Sequence, residues 1–245
     1  MYRPDRPGVS ESIRRSRSPL RGRAWHAACA ASVVRWVFRL SCAATLALCG
    51  LIIFNSLPYF TFRRDLPFLE EKGDLTSDPV WRACFYGHVL GGMLCLASAP
   101  FLFWDRLRVR FPAIHRGLGR LYGIVVLGWA GPAGLFLALH AKGGIAGRTA
   151  FLALGLLWWG ATARGVRSIL QKRPADHRRW MIRSYSLALS AASFRVFQVA
   201  LFWSGMADEP NYIVSLWLSL AASLAVGEAL VRKPPVSLVL KGGLS

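Results

Sequence analysis

The chain has little negative charge, with 12 Asp and Glu against 31 Lys and Arg in 245 residues and a net charge of +19. Its five cysteines, Cys29, Cys42, Cys49, Cys84 and Cys95, lie in or beside apolar runs and form no C-x-x-C pair. That argues against both a disulfide framework and a structural zinc site. G-x-S-x-G, HExxH and a phosphate-binding glycine loop are also missing, so soluble-type hydrolase chemistry finds no support. Basicity on this scale would fit nucleic acid, but no zinc-finger spacing, RNA-binding signature or basic amphipathic helix accompanies it. Nucleic acid is therefore not an expected partner.

What is present is apolar bulk: 54% of residues are hydrophobic and the mean hydropathy is +0.36. The charges gather in short clusters between long stretches nearly free of them, the pattern of a chain that lives in a bilayer. Residues 1–30 read as a disordered basic tail, carrying Arg3, Arg6, Arg14, Arg15, Arg17, Arg21 and Arg23, placed to lie near anionic headgroups. A transmembrane domain follows over 31–235, and 236–245 form a short C-terminal tail. Six apolar runs of spanning length occur at about 36–58, 80–104, 117–140, 149–170, 181–205 and 211–231. The first could be a signal peptide, but the basic region before it is long and no small-x-small cleavage site follows, so a retained helix is expected. The fold class is thus all-α, a six-helix membrane bundle with short loops. The longer segment 59–79 holds five of the twelve acidic residues, Asp65, Glu70, Glu71, Asp74 and Asp78, and reads as a surface loop or short interfacial helix.

Orientation follows from the cations. Of the 31 Lys and Arg, 24 fall in the tail through Arg39, in Arg106–Arg120, in Arg164–Arg183 and after the last run. Alternate loops are basic, so the positive-inside rule puts both termini in the cytoplasm, as expected for a multi-pass protein of a bacterial inner membrane. The expected partner is the lipid bilayer, with anionic headgroups at the basic loops.

Most residues within the runs have a packing explanation. Gly87 and Gly91, like Gly119 and Gly123, are four apart and let helices approach closely. Pro132 should kink the third helix and free a backbone carbonyl. Arg195 is less easily explained, because it lies about 15 Å from the end of its run at 1.5 Å per residue, and an intramembrane Arg costs at least about 2.5 kcal/mol. It shares a helix face with Ala188, Ala192 and Gln198, and is expected to face the bundle. His88 lies about 10 Å inside the second helix on a face with Cys84, Gly91, Cys95 and Ala99. The similar depths lead us to expect one polar cavity shared by His88 and Arg195.

The two basic loops contain an internal repeat. His115-Arg116 is followed by Arg120 and Tyr122, and His177-Arg178 by Arg183 and Tyr185, each at the start of a helix entering from the basic side. Parallel repeats would set the two motifs side by side, where helix N-termini with Arg and His make an anion site. From about Arg82 to Trp203, the elements YGHVLGG, HRGLGRLYG and HRRWMIRSYSL, with Arg195 one helical stretch later, resemble the membrane proteins catalogued as domain of unknown function 2306. The resemblance implies a multi-pass membrane protein. It adds weight to His88, His115, Arg116, Arg120, Tyr122, His177, Arg178, Arg183, Tyr185 and Arg195 as ligand-binding residues, and implies no activity or substrate.

Three functional readings follow. The residues point first to a protein that binds or carries a small anionic molecule or lipid, with Arg195 as intramembrane anchor and the His-Arg loops as a cytoplasmic site. The second is a b-type haem protein, with His88 and His140, or His115 and His177, as paired axial ligands. The third is a structural or assembly protein of the membrane, which needs no site.

Overall fold

A computed structural model of the chain describes Trp36, residues 39–63 and residues 65–232. Both expected tails, 1–30 and 236–245, lie outside the described residues. Among the described residues, those up to Ala47 and those from Leu48 form two separate units. In the first, the Arg39 guanidinium lies 5.6 Å above the Trp36 ring. The second holds the rest of the helical structure.

Among the described residues eight α-helices follow one another, with a 3-10 helix at Gly73–Ser77 between the second and third, and no strand occurs. They are α1 Arg39–Thr61, with a 3-10 last turn at Leu57–Thr61; α2 Pro67–Lys72; α3 Pro79–Leu102; and α4 Asp105–Arg110. Then come α5 Pro112–Ala138, α6 Gly144–Leu170, α7 Pro174–Trp203 and α8 Asp208–Arg232. Five of these, α1, α3, α5, α7 and α8, are long and apolar enough to cross a membrane. Helix α6 has the length, 27 residues, but carries Arg148, Arg164 and Arg167 and falls short on apolarity.

Helices α5 and α7 begin several residues before the runs expected at 117 and 181. Each opens on a proline, Pro112 and Pro174, whose fixed φ suits a first helical position and whose missing N–H leaves no bond unmade. Charge alone marks these first turns as loop, although a helix projecting past the hydrocarbon carries basic residues at no cost. Both helices are also interrupted. In α5 a π-helical turn, Val126–Ala130, precedes Pro132. Pro132 donates no backbone hydrogen bond, and one carbonyl of this widened turn, that of Leu127, accepts from Trp159 Nε1 at 3.1 Å. In α7 the helical segments Pro174–Ala188 and Ser190–Trp203 meet at Leu189.

Packing relies on small residues. The core joins Cys95 and Ala99 of α3, Tyr122, Val126 and Ala130 of α5, Trp158 and Ala161 of α6, Leu187 of α7 and Leu220 of α8. A Cβ on Gly91 would lie 2.6 Å from Ala130 Cβ, so the expected close approach of α3 to α5 depends on glycine there. Cys49 and Ile52 of α1 pack with Leu96 and Ala192. Helix α8 turns a buried stripe of Asn211, Ser215, Ser219, Ser223 and Gly227 inward, one residue per turn. Asn211 Nδ2 donates to Gln198 O at 3.1 Å, which ties α8 to α7, while its Oδ1 accepts from Ser215 Oγ at 2.9 Å within α8. The segment between α1 and α3 is the short helical cap expected as one alternative. Its Leu69 is buried with Trp81 and Phe85, Lys72 Nζ donates to His140 O at 3.0 Å, and Glu71 pairs with Lys142 at 3.6 Å. Burial holds Lys72 below the ordinary lysine range, with the Glu71 carboxylate opposing the shift.

Candidate functional site

The internal repeat is longer than its His-Arg core. Pro112-Ala113-Ile114-His115-Arg116 opens α5 and Pro174-Ala175-Asp176-His177-Arg178 opens α7, so each His is the fourth residue of its helix. The structure brings these helix starts together, with the charges of His177, Arg108 and Arg116 all acting on His115. Two turns further in, Tyr122 and Ser184, each seven residues after its His, meet with their oxygens 2.9 Å apart. Helices α5 and α7 therefore run in one direction and are linked through these two side chains. The interruptions match too, since Leu127 and Leu189 each lie twelve residues after the motif His.

Tyr122 belongs to a closed hydrogen-bond ring. Trp158 Nε1 donates to Tyr122 Oη at 3.2 Å, and Thr162 Oγ1 donates to Trp158 O at 2.8 Å. Thr162 lies 2.7 Å from Ser184 Oγ, so with its own proton committed it accepts from Ser184. Ser184 must then accept from Tyr122. The circuit runs from the Trp158 indole through three hydroxyls to the Trp158 carbonyl, and uses every proton. Tyr122, Thr162 and Ser184 are each buried to 1% exposure or less. A complete network of this kind locks α5, α6 and α7 together and offers a ligand no free group. Sequence reasoning did not single out Trp158, Thr162 or Ser184, since an isolated hydroxyl on an apolar helix carries no signal until its partners are placed.

Around the helix starts the cations divide into two groups. Arg183 is half-buried and bound through Nε and Nη2 to the two Glu228 carboxylate oxygens, at 2.6 and 3.1 Å. It also lies 4.6 Å above the Trp180 ring, with Arg164 4.8 Å from the same ring. Its fork is therefore occupied in tying α7 to α8. Arg116, Arg120 and Arg178 are exposed and have no ion pair or hydrogen bond among the described residues. Neither helix start has a side-chain cap. His115 Nδ1 is buried without a partner, whereas His177 Nδ1 lies 2.8 Å from Gly165 O. The Tyr185 hydroxyl is buried beside the Cys49 thiol with no hydrogen bond of normal geometry.

Towards the other end, His88 and Arg195 have different partners. The His88 Nδ1 atom is 2.8 Å from Ala130 O, so it carries the proton, and its ring lies over Gly134, where a Cβ would come within 2.7 Å. Arg195 donates from Nη1 to Ala191 O at 2.8 Å and interacts electrostatically with Tyr59. The expectation that it faces the bundle interior needs correcting, because Arg195 is exposed. Ala192, one turn before it in the same helical segment, is buried, so the enclosed face ends short of Arg195. His140 Nδ1 is 3.3 Å from Phe136 O, in its own helix turn. Among the described residues no three His, Cys, Asp or Glu side chains are grouped to hold a metal ion.

Fold and site together define an all-α, multi-pass integral membrane protein. Residues 85–231, more than half of the chain, match the family described as Predicted membrane protein (DUF2306), and the chain belongs to that family. The match takes in α8, beyond the stretch in which the resemblance was legible by motif. No curated protein and no solved structure matches the chain.

Proposed function

We propose that the protein binds or carries a small anionic molecule or lipid in the membrane. Arg195 is the intramembrane anchor, and the paired His-Arg helix starts form a second contact at the basic end. The observation that carries this reading is the state of Arg195. It lies within an apolar span, and its guanidinium has one hydrogen bond, to its own helix, and no carboxylate partner among the described residues. A guanidinium offers five donors, and leaving them unmet in hydrocarbon is costly, so an anionic ligand is the economical partner. At the basic end, uncapped helix N-termini beside the free Arg116, Arg120 and Arg178 favour negative charge. His88 stands outside the anchor, since its ring is held by Ala130 O. Matched interruptions in α5 and α7 support a carrier, as such breaks in parallel repeats border binding sites.

On this reading the basic end is cytoplasmic and the membrane is of the bacterial inner type, because Lys and Arg concentrate there. Helix α6 is a sixth span. With α5 and α7 crossing in the same direction, the chain must return between them, and 27 residues at 1.5 Å each give about 40 Å for the return. The test is retention on the purified chain of radiolabelled orthophosphate and, separately, headgroup-labelled phosphatidylglycerol. Wild type should retain at least one of them and Arg195→Leu much less; equal retention by the two proteins, or none by either, overturns the reading.

A second reading, b-type haem, is supported by one observation. His88, His140 and His177 all set Nδ1 against a backbone carbonyl, which leaves Nε2 with a free lone pair, the state of a ligating imidazole. The closeness of His115 to His177 favours that pair. An absorption spectrum of the detergent-purified protein decides: a Soret band supports haem, and its absence under haem-replete expression removes it.

A further inference from the structure

We infer that the anion at Arg195 is the phosphate of a membrane glycerophospholipid, reached sideways from the hydrocarbon, and not a water-soluble ion entering along the bundle axis. This rests on the reading of Arg195 as an anion anchor and adds where the ligand comes from. Three features carry it.

The first is direction. Arg195 stands eight residues before Trp203, about 12 Å at 1.5 Å per residue, and its hydrogen bond runs back to Ala191 O, further from that end. A side chain that snorkels would reach the other way, towards the nearer interface. The second is surroundings. The neighbouring exposed residues of α7 are Val196, Val199 and Phe202, at 51%, 58% and 62% exposure, so the guanidinium opens onto a surface that faces lipid tails. A ligand arriving over that surface needs hydrocarbon of its own. The third is a second fixed donor. Tyr59, the group that interacts electrostatically with Arg195, is held at the end of α1 by Phe85, with ring centroids 5.2 Å apart, and by Phe68 at 6.3 Å. A planar guanidinium fork with a phenol within its electrostatic reach suits the two non-bridging oxygens of a phosphodiester. The acyl chains would then lie along the valine and phenylalanine stripe, where they replace bulk lipid at little cost.

The test is native mass spectrometry of the full chain released from neutral detergent, with phosphatidylglycerol, phosphatidylcholine and inorganic phosphate supplied in separate arms. Wild type should keep one phosphatidylglycerol at least tenfold more strongly than it keeps free phosphate. Arg195→Lys should weaken that first lipid about tenfold, because an ammonium cannot bond two oxygens in one plane, and Tyr59→Phe should weaken it severalfold. Arg195→Leu should abolish it at an unchanged unfolding midpoint. If orthophosphate is retained and the lipid is not, the lateral route is wrong while the anchor stands; if neither is retained, both fall. First-lipid retention that Arg195→Leu leaves intact also overturns the inference, as would a chain whose Arg195 is covered by a second copy in every released oligomer.

Discussion

Replacing Tyr122 with Phe removes one oxygen from the closed ring and leaves the shape of the core unchanged. Trp158 Nε1 then loses its acceptor, and Ser184 Oγ loses the proton it accepts, while the Ser184–Thr162–Trp158 carbonyl segment stays intact. A buried donor left unpaired costs about 1–3 kcal/mol in soluble proteins, but hydrogen bonds between membrane helices average only about 0.6 kcal/mol. Two bonds are broken here at sites with 8% exposure or less, so the expected loss is about 1–2 kcal/mol. Equilibrium unfolding by SDS titration in neutral detergent, followed through tryptophan fluorescence, measures it. Ser184→Ala should cost a similar amount, and the two together less than their sum, with a coupling of about 0.5–1.5 kcal/mol. Strict additivity, or a Tyr122→Phe protein within about 0.3 kcal/mol of wild type, would refute the ring as a lock on α5, α6 and α7.

Other outcomes follow from individual contacts. Gly147→Ala should lower stability by about 1–3 kcal/mol in the same titration, since its Cβ would come within 1.9 Å of the Lys142 carbonyl oxygen, which is backbone and cannot move aside cheaply. Gly134→Ala should displace the His88 ring from Ala130 O, read as a shift in the His88 imidazole NMR signals, with Gly128→Ala as a control because nothing lies within 4 Å of its Cβ. Glu228→Gln should cost no more than about 1 kcal/mol, as the Arg183 and Glu228 side chains are 26% and 45% exposed. Reporter fusions after residue 75 and after Met206 should read as external, and those near 110 and 175 as cytoplasmic.

Much of the architecture was legible because charge and apolarity segregate so completely along the chain. The five long apolar helices and the helical cap between α1 and α3 follow from spacing. The early starts of α5 and α7 were missed because Arg and His were read as loop residues, while Pro112 and Pro174 gave the better signal. The site was less legible. Arg183 looks like a free anion-binding residue until Glu228, 45 positions away, is placed against it, and Tyr122 looks like a ligand residue until Trp158, Thr162 and Ser184 close the ring. Long-range pairing of this kind leaves no periodic trace. The exposure of Arg195 beside the buried Ala192 is set by how closely the neighbouring helices approach, which the sequence of α7 does not carry.

The central claim, an anion held at Arg195, is tested most directly by the unfolding midpoint of the full chain in neutral detergent, titrated with phosphatidylglycerol and with orthophosphate. A ligand that binds only the folded state stabilises it by about 2.7 kcal/mol at a hundred times its dissociation constant. The account predicts a saturable rise for wild type with at least one of the two, and none for Arg195→Leu under the same conditions. An equal rise in both proteins, or a flat midpoint for wild type across both titrations, would contradict it.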